Sequence, residues 1–363
     1  MEHKGSRIVG IIVLVLMGLF IAIVAAINIY VNTTYATFYD QAEKQFEIPG
    51  INNGFIPQDL DYLDSENIWF FSGYMNDGSP SPLYKRTNDA TNNVTNNVTN
   101  DMTNNVTNNV TNNPTNNAKT NTTESAYTVT KIQLANPDGT PYTDHGSAIT
   151  TTDQYAFLAA EQSYLVFDTN ALAAAQEGDT VVALDRINLD FSPAFMNIEN
   201  DALYLGVFYH PGDYETPAAM HITTPDGTEN PAVMYSYPQD TTQPYGFARV
   251  PAAVYSIPGM IQGTCQTESG EIVLSQSFGA NSSHLYVYSQ DNLVQIGTYL
   301  ADGVDVPLYC LDNTSLTDDV LAPPMLEGIE SEDGQVYVTD EAASNKYLFG
   351  KLYGAGHVYS LTL

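Results

Sequence analysis

Residues His145–Asp168 read HGSAITTTDQYAFLAAEQSYLVFD. The stretch opens on a short polar strand, turns, runs through an apolar strand that ends in polar residues, and enters a third strand. Runs of β-branched and aromatic residues bounded by Gly, Pro, Asn and Asp are the marks of short strands. The same order recurs four times: Ile56–Arg86 (beginning IPQDLDYLDSENIWFFSGY), Ser192–Thr224 (SPAFMNIENDALYLGVFYH), Ile261–Ser289 (IQGTCQTESGEIVLSQSFGANSSHLYVYS) and Leu326–Leu361 (LEGIESEDGQVYVTDEAAS). Fourth strands are expected at Tyr127–Leu134, Thr180–Leu189, Ala232–Tyr237 and Val306–Leu311. Several units of four strands predict an all-β fold, a β-propeller.

The first-strand markers are Gln58, His145, Ser192, Gln262 and Glu327, which gives five blades. Their spacing is uneven. The third interval holds Tyr235–Pro258, read as a long loop; a sixth blade hidden there is the alternative. The last unit lacks a fourth strand, so closure is expected from Gln45–Ile51. One short helix is expected, over Asn170–Glu177. Pro137-Asp138-Gly139 and Pro225-Asp226-Gly227 are turn sequences, with Pro presetting φ and Gly accepting a positive one.

The chain has 363 residues, with 42 Asp and Glu against 11 Lys and Arg, for a formal net charge of −31. That charge excludes a general nucleic-acid binder, which needs clustered cations for phosphate. Two cysteines exclude a disulfide-rich scaffold or a multi-cysteine zinc site. Cys265 is read on an inner strand and Cys310 on an outer one, beyond the usual Cα separation of about 4.4–6.8 Å. Either that placement is wrong or both thiols are free.

Ile8–Ile27 carries no charge and is preceded by Lys4 and Arg7. Twenty helical residues at about 1.5 Å each span a hydrocarbon core of about 30 Å. The positive flank places the N-terminus inside and the rest outside. A cleaved signal peptide, cut after Ala26, is the rival; the apolar run is long for one. The expected organisation is a stub and transmembrane anchor over 1–34 and an extracellular propeller over 35–363, interrupted by an Asn/Thr-rich insertion over 88–124. That insertion repeats NNVT and carries N-x-S/T sequons at Asn93, Asn97, Asn105, Asn109 and Asn121; Asn281 and Asn313 head two more. Repeated sequons on an exported chain point to a glycosylated surface.

First strands of a propeller line its central channel. Gln58, Asp59, His145, Gln262 and Glu327 therefore form the expected polar site at the channel mouth. Asp59, His145 and Glu327 would serve a hydrolase of a glycoside, lactone or phosphoester, since glycosidic cleavage takes two carboxylates. Asp340 and Glu341, with Glu327 and Asp59, offer hard oxygen ligands that could hold Ca²⁺. No dedicated metal motif occurs in the sequence, nor an HExxH, G-x-S-x-G, G-x-G-x-x-G or Walker signature.

The segments IPQDLDY, SGYMNDGSPSPLY, DGTPYTDHGSA, MIQGT, LSQSFGANSSHLYVY and PPMLEGIE resemble a group of exported or membrane-anchored β-propeller-like proteins of bacteria and archaea. The resemblance covers most of residues 50–363 and implies a propeller ectodomain without implying an activity. In that group Gln-Gly-Ile stands where this chain has Gln262-Gly263-Thr264, and Gln-Gly-Leu where it has Gln58-Asp59-Leu60. The reading of the whole is a membrane-anchored extracellular propeller that binds an envelope glycan, another surface ligand or a protein partner. An exported hydrolase is the alternative, and a purely structural envelope protein a third.

Overall fold

In the computed structural model, residues 2–88 and 127–363 are described. The sequons at Asn93, Asn97, Asn105, Asn109 and Asn121 lie outside them. Helix α1 (Glu2–Thr34) leads into the short α2 (Ala36–Gln41) and strand β1 (Glu43–Glu47). Blade 1 is β2 (Phe55–Leu63), β3 (Ile68–Met75), β4 (Pro82–Asn88) and β5 (Tyr127–Ala135). Blade 2 starts with β6 (Ile149–Thr151), β7 (Tyr155–Ala160) and β8 (Ser163–Asp168), followed by α3 (Thr169–Ala174). Then β9 (Thr180–Val182) adds in parallel to β5, and β10 (Asp185–Asn188) completes blade 2.

Blade 3 begins with β11 (Phe195–Glu199) and β12 (Ala202–Gly206). A long loop containing the hairpin β13 (Ile222–Thr223) and β14 (Glu229–Asn230) precedes β15 (Ala232–Pro238) and β16 (Ala253–Ile257). Blade 4 is β17 (Ile261–Gln266), β18 (Ile272–Gln276) and β19 (Ser283–Tyr288), interrupted by a hairpin of β20 (Val294–Ala301) and β21 (Val304–Cys310), and finished by β22 (Leu316–Ala322). Blade 5 is β23 (Leu326–Glu332), β24 (Gln335–Asp340), β25 (His357–Leu361) and, as its fourth strand, β1. The inner strands close a ring: β2 meets β6, β6 meets β11, β11 meets β17, β17 meets β23, and β23 returns to β2. The protein is a five-bladed β-propeller.

The irregular repeat spacing has different causes from those expected. Tyr235–Pro258 is not one long loop; it holds the end of β15 and all of β16, the third and fourth strands of blade 3, joined by residues 239–252, and so leaves no room for a sixth blade. The extra length sits earlier, between β12 and β15. Ala232–Tyr237 is accordingly a third strand. Val306–Leu311 falls on β21, which pairs in parallel with β16 and extends blade 3, while β22 is the true fourth strand of blade 4. Thr180–Leu189 splits between blades 1 and 2. In each case an apolar strand pattern was present, and its partner, set at long range, could not be read from it. Tyr127–Leu134 does form the fourth strand of blade 1.

The helix expected over Asn170–Glu177 is Thr169–Ala174. It starts one residue earlier because the Asp168 side chain caps it, accepting from the Ala171 N–H at 3.1 Å. It ends early because buried Lys85 collects its last carbonyls, including that of Ala175 at 2.8 Å. Both features satisfy groups that a helix end leaves open. Cys265 and Cys310 are both free and buried.

Closure comes from Glu43–Glu47 rather than Gln45–Ile51. Glu43 opposes Ser360 and Glu47 opposes His357. Ile48 and Ile51 instead fill the core between blades 1 and 5 with Phe55, Phe71 and Val358. Ile11–Thr34 of α1 is long and apolar enough to cross a membrane. Its far end is built into the propeller. Val31, Tyr35 and Phe38 are buried with Val287, Val320 and Leu361 of blades 4 and 5. The Tyr35 hydroxyl is 3.0 Å from that of Ser282, and the Tyr39 hydroxyl donates to the Tyr353 carbonyl.

A chain beginning at Tyr35 should therefore keep one cooperative thermal transition. One beginning at Ile48 loses β1 and α2, and should melt at least ~10 °C lower, the equivalent of a few kcal/mol for a domain of this size. Circular dichroism melts of the two chains check this.

Candidate functional site

Three of the five inner strands begin with an irregularity. On β2 the register with β3 slips between Pro57 and Asp59, so Gln58 is the extra residue. On β17 the slip against β18 falls between Ile261 and Gly263, leaving Gln262. On β23 it falls between Leu326 and Ile329, at Glu327-Gly328. A bulge leaves one residue unpaired and turns its side chain out of the ladder. Gln58, Gln262 and Glu327 all turn into the same cavity, of about 850 Å³, at the channel mouth. His145 reaches it from the loop before β6, and Ser192 from the loop before β11.

The glycine after two of these bulges lets inner strands approach. A Cβ on Gly328 would lie 1.9 Å from the Asp59 carboxylate, and one on Gly263 would lie 3.0 Å from the Glu327 carbonyl. Asp59 occupies the equivalent place on β2, and its carboxylate points away from the cavity. It accepts the Ile149 N–H of blade 2 at 2.9 Å. Of the five expected site residues, then, Gln58, His145, Gln262 and Glu327 line the cavity and Asp59 lies beneath its floor.

The four cavity residues are short of protein partners. Among the described residues, the Glu327 carboxylate and the Gln262 amide have no hydrogen bond, although Glu327 is only 4% exposed. Gln58 uses its amide N–H on its neighbour, the Pro57 carbonyl, at 3.1 Å. His145 lies against Tyr74 with ring centroids 4.1 Å apart. Burial, helped by Lys346, pushes the His145 imidazole down to about 4, so it is neutral at pH 7. Burial, reinforced by Glu341, Asp340 and Asp59, holds the Glu327 carboxyl well above the usual carboxylate range. The floor therefore holds two amides, a neutral imidazole and a carboxyl pushed toward its neutral form.

The walls come from the loops after the second strands, which sequence reading did not single out. Phe208 and Met220 arrive from blade 3, Phe278 from blade 4, and Tyr347 and Phe349 from blade 5. Glu341 accepts from Tyr74 at 3.0 Å and from Tyr347 at 2.9 Å. Lys346 donates to the Tyr74 hydroxyl at 3.1 Å and lies 5.0 Å from the Tyr347 ring centroid. The chain's own ammonium thus fills the cation slot beside Glu341. The signal was present in NKYLFGKLYG, a dense mix of aromatics and lysines in a chain poor in lysine. Its meaning depends on loops of separate blades meeting.

Below the floor, the axis is acidic. Asp61 accepts from Thr151 N at 3.2 Å, Glu199 from Gln266 N at 2.9 Å, and Glu330 from Asn197 at 3.2 Å. Burial lifts Asp61 to about 6 and Glu199 to about 7. Three of the four groups offered for Ca²⁺ are otherwise engaged: Asp340 caps Ala342 at 2.7 Å, and Asp59 and Glu341 are bonded as above. Among the described residues no group of three or more His, Cys, Asp or Glu is placed to hold a metal ion. Asn281 and Asn313 are exposed, and Asn313 donates its amide to Asp226 at 2.7 Å.

Several solved propellers are similar in overall form. The WD40 β-propeller domain of Doa1 is 6% identical over 88% of this chain and 97% of that one, with a TM-score of 0.36. The PQQ-bound aldose sugar dehydrogenase of Streptomyces coelicolor is 11% identical over 88% and 97%, with a TM-score of 0.40. BamB of Moraxella catarrhalis is 8% identical over 85% and 83%, with a TM-score of 0.27. No protein-family model and no curated protein matches the sequence. The blade count rests on the strand pairing of this chain.

Protonated in the fold and ionised when unfolded, Asp61 and Glu199 stabilise the propeller fully below their unfolded values of about 3.9 and 4.3. That contribution is lost as pH rises to about 6 for Asp61 and about 7 for Glu199. His145 acts in the opposite sense, losing stability as pH falls from about 6.5 to about 4. Melting temperature should fall between pH 5 and 8, and Glu199→Gln should flatten that slope, as thermal melts across the range will register.

Proposed function

We propose that the chain is a membrane-anchored propeller that binds a small, uncharged, hydroxyl-bearing ligand at the channel mouth. The observation that carries this reading is the convergence of Gln58, His145, Gln262 and Glu327 on one cavity. They come from four blades, and the Glu327 carboxylate faces the cavity with no hydrogen bond to protein among the described residues. A ligand hydroxyl can donate to or accept from these groups. Aromatic walls and a few convergent polar groups are the usual make-up of a small-molecule pocket.

The charge-free run of α1 with Lys4 and Arg7 before it supports anchoring with the propeller outside. The acidic surface and the sequons, with Asn281 and Asn313 exposed, fit a glycosylated exterior. A hydrolase working through Asp59 and Glu327 has less support, because the Asp59 carboxylate is committed to Ile149 and lies off the cavity.

The test is a titration of the full chain, held in phosphatidylcholine nanodiscs, with a panel of mono- and disaccharides. At least one should bind and raise the melting temperature. Glu327→Ala should weaken that binding at least tenfold, whereas Asp59→Asn should lower the melting temperature and leave affinity within twofold. Binding indifferent to Glu327→Ala, or no binding across the panel, would sink the reading.

A further inference from the structure

The cavity opens at the end of the propeller where the anchor is attached. Its rim includes Phe278, Gly279 and Ala280 of the β18–β19 loop, and Tyr347 and Phe349 of the β24–β25 loop. The same two loops grip the chain as it leaves α1. Ser282 meets the Tyr35 hydroxyl, the Tyr353 carbonyl accepts from Tyr39, and α1 packs against the 3-10 turn Leu348–Tyr353.

No stalk separates the propeller from the apolar helix. Ile27, inside the apolar span Ile11–Thr34, already packs on the buried cluster of blades 4 and 5. From Ile27 to Tyr35 is eight residues, about 12 Å of helix. The headgroup layer of one leaflet is about 5–8 Å deep. The rim therefore stands at the bilayer surface.

The rim loop has the chemistry of that surface. Leu348 is 81% exposed and Leu352 is 37% exposed, and Lys346 and Lys351 are exposed between and beside them. Exposed leucines flanked by lysines are the residue types with which a short segment sits in an interface. Two lysines on one loop are a large share of the 11 basic residues in the chain.

The cavity itself has a polar floor and an apolar wall that leads from the floor to this rim. Building on the ligand site above, we infer that the cavity takes a single-chain amphiphile from the leaflet that holds α1. Its uncharged, hydroxyl-bearing head meets Gln58, Gln262, Glu327 and His145, and its hydrocarbon chain runs along Phe208, Phe278 and Phe349 toward the bilayer. An anionic head is opposed by Glu341, which accepts hydrogen bonds from Tyr74 and Tyr347. A cationic head would find its slot beside Glu341 already held by Lys346.

The experiment uses the full chain in phosphatidylcholine nanodiscs doped with a decyl glucoside carrying a diazirine in its alkyl chain. After irradiation, labelled peptides are mapped by mass spectrometry. Adducts should fall on the peptides bearing Phe208, Phe278 and Phe349. Glu327→Gln should reduce them at least fivefold. Leu348→Asp with Leu352→Asp, both on exposed positions, should reduce them at least threefold with the melting temperature unchanged. Unlabelled decyl glucoside should compete at least thirtyfold better than glucose. Labelling confined to α1 overturns the inference, as does a matching alkyl sulfate or alkyltrimethylammonium probe that labels the cavity better. Equal competition by glucose overturns the membrane source while leaving the saccharide site standing. Loss of saccharide binding in the earlier titration removes both.

Discussion

Five strand edges face one another around the axis, and their backbone groups have no ladder partner on that side. Everything else in the propeller depends on how those groups are met, because a buried N–H or C=O left open costs about as much as a lost hydrogen bond. This chain meets them with side chains that cross from blade to blade. Asp59 takes the Ile149 N–H, Asp61 takes Thr151, and Thr150 takes the Ile198 N–H at 3.1 Å. Asn197 donates to the Thr264 carbonyl at 2.8 Å, Glu199 takes Gln266, and Ser275 donates to the Glu327 carbonyl. Among the described residues, these side-chain-to-backbone stitches reach the inner strands at every junction except that of blades 5 and 1. There Gly328 lets β23 lie directly on Asp59 of β2, and the strand borrowed from the N-terminus completes the outer edge.

That arrangement separates two kinds of acid that look alike in sequence. Asp59 directly follows its bulge and Glu327 lies in its own, and the two are equally buried. One carboxylate has a backbone N–H to accept; the other faces a cavity. A strand-level reading puts both at the channel mouth, and only the direction in which each bulge turns its side chain tells them apart. The recurring order of strands was legible because it is local: alternation, turn residues and the start of each inner strand. Fourth-strand ownership was not. The Val304–Cys310 strand reads like any outer strand, but it pairs with Val254, Tyr255 and Ser256, about fifty residues away.

The cavity walls were hidden for the same reason. Phe208, Phe278 and Phe349 stand in three loops that share no spacing and meet only because each follows the second strand of its blade. The floor was legible because it repeats, and the walls were not because they differ. This division is general to propellers. The repeat fixes a scaffold, and unequal loops over one end of it carry what distinguishes one chain from another.

The anchor belongs to the same argument. The strand that closes the ring directly follows α2, and α2 directly follows α1, so the closing strand is tied directly to the apolar helix. Tyr35 and Phe38 are among the most deeply buried side chains in the molecule, and they sit between the helix and the closing strand. A flexible linker would leave the propeller free to tumble, and its loop end would meet the membrane only by chance. Here the buried aromatics fix the orientation, and the end they fix toward the helix is the end where the four polar side chains converge. In the proposed amphiphile site, such a joint would hold the cavity mouth toward the leaflet that carries the helix.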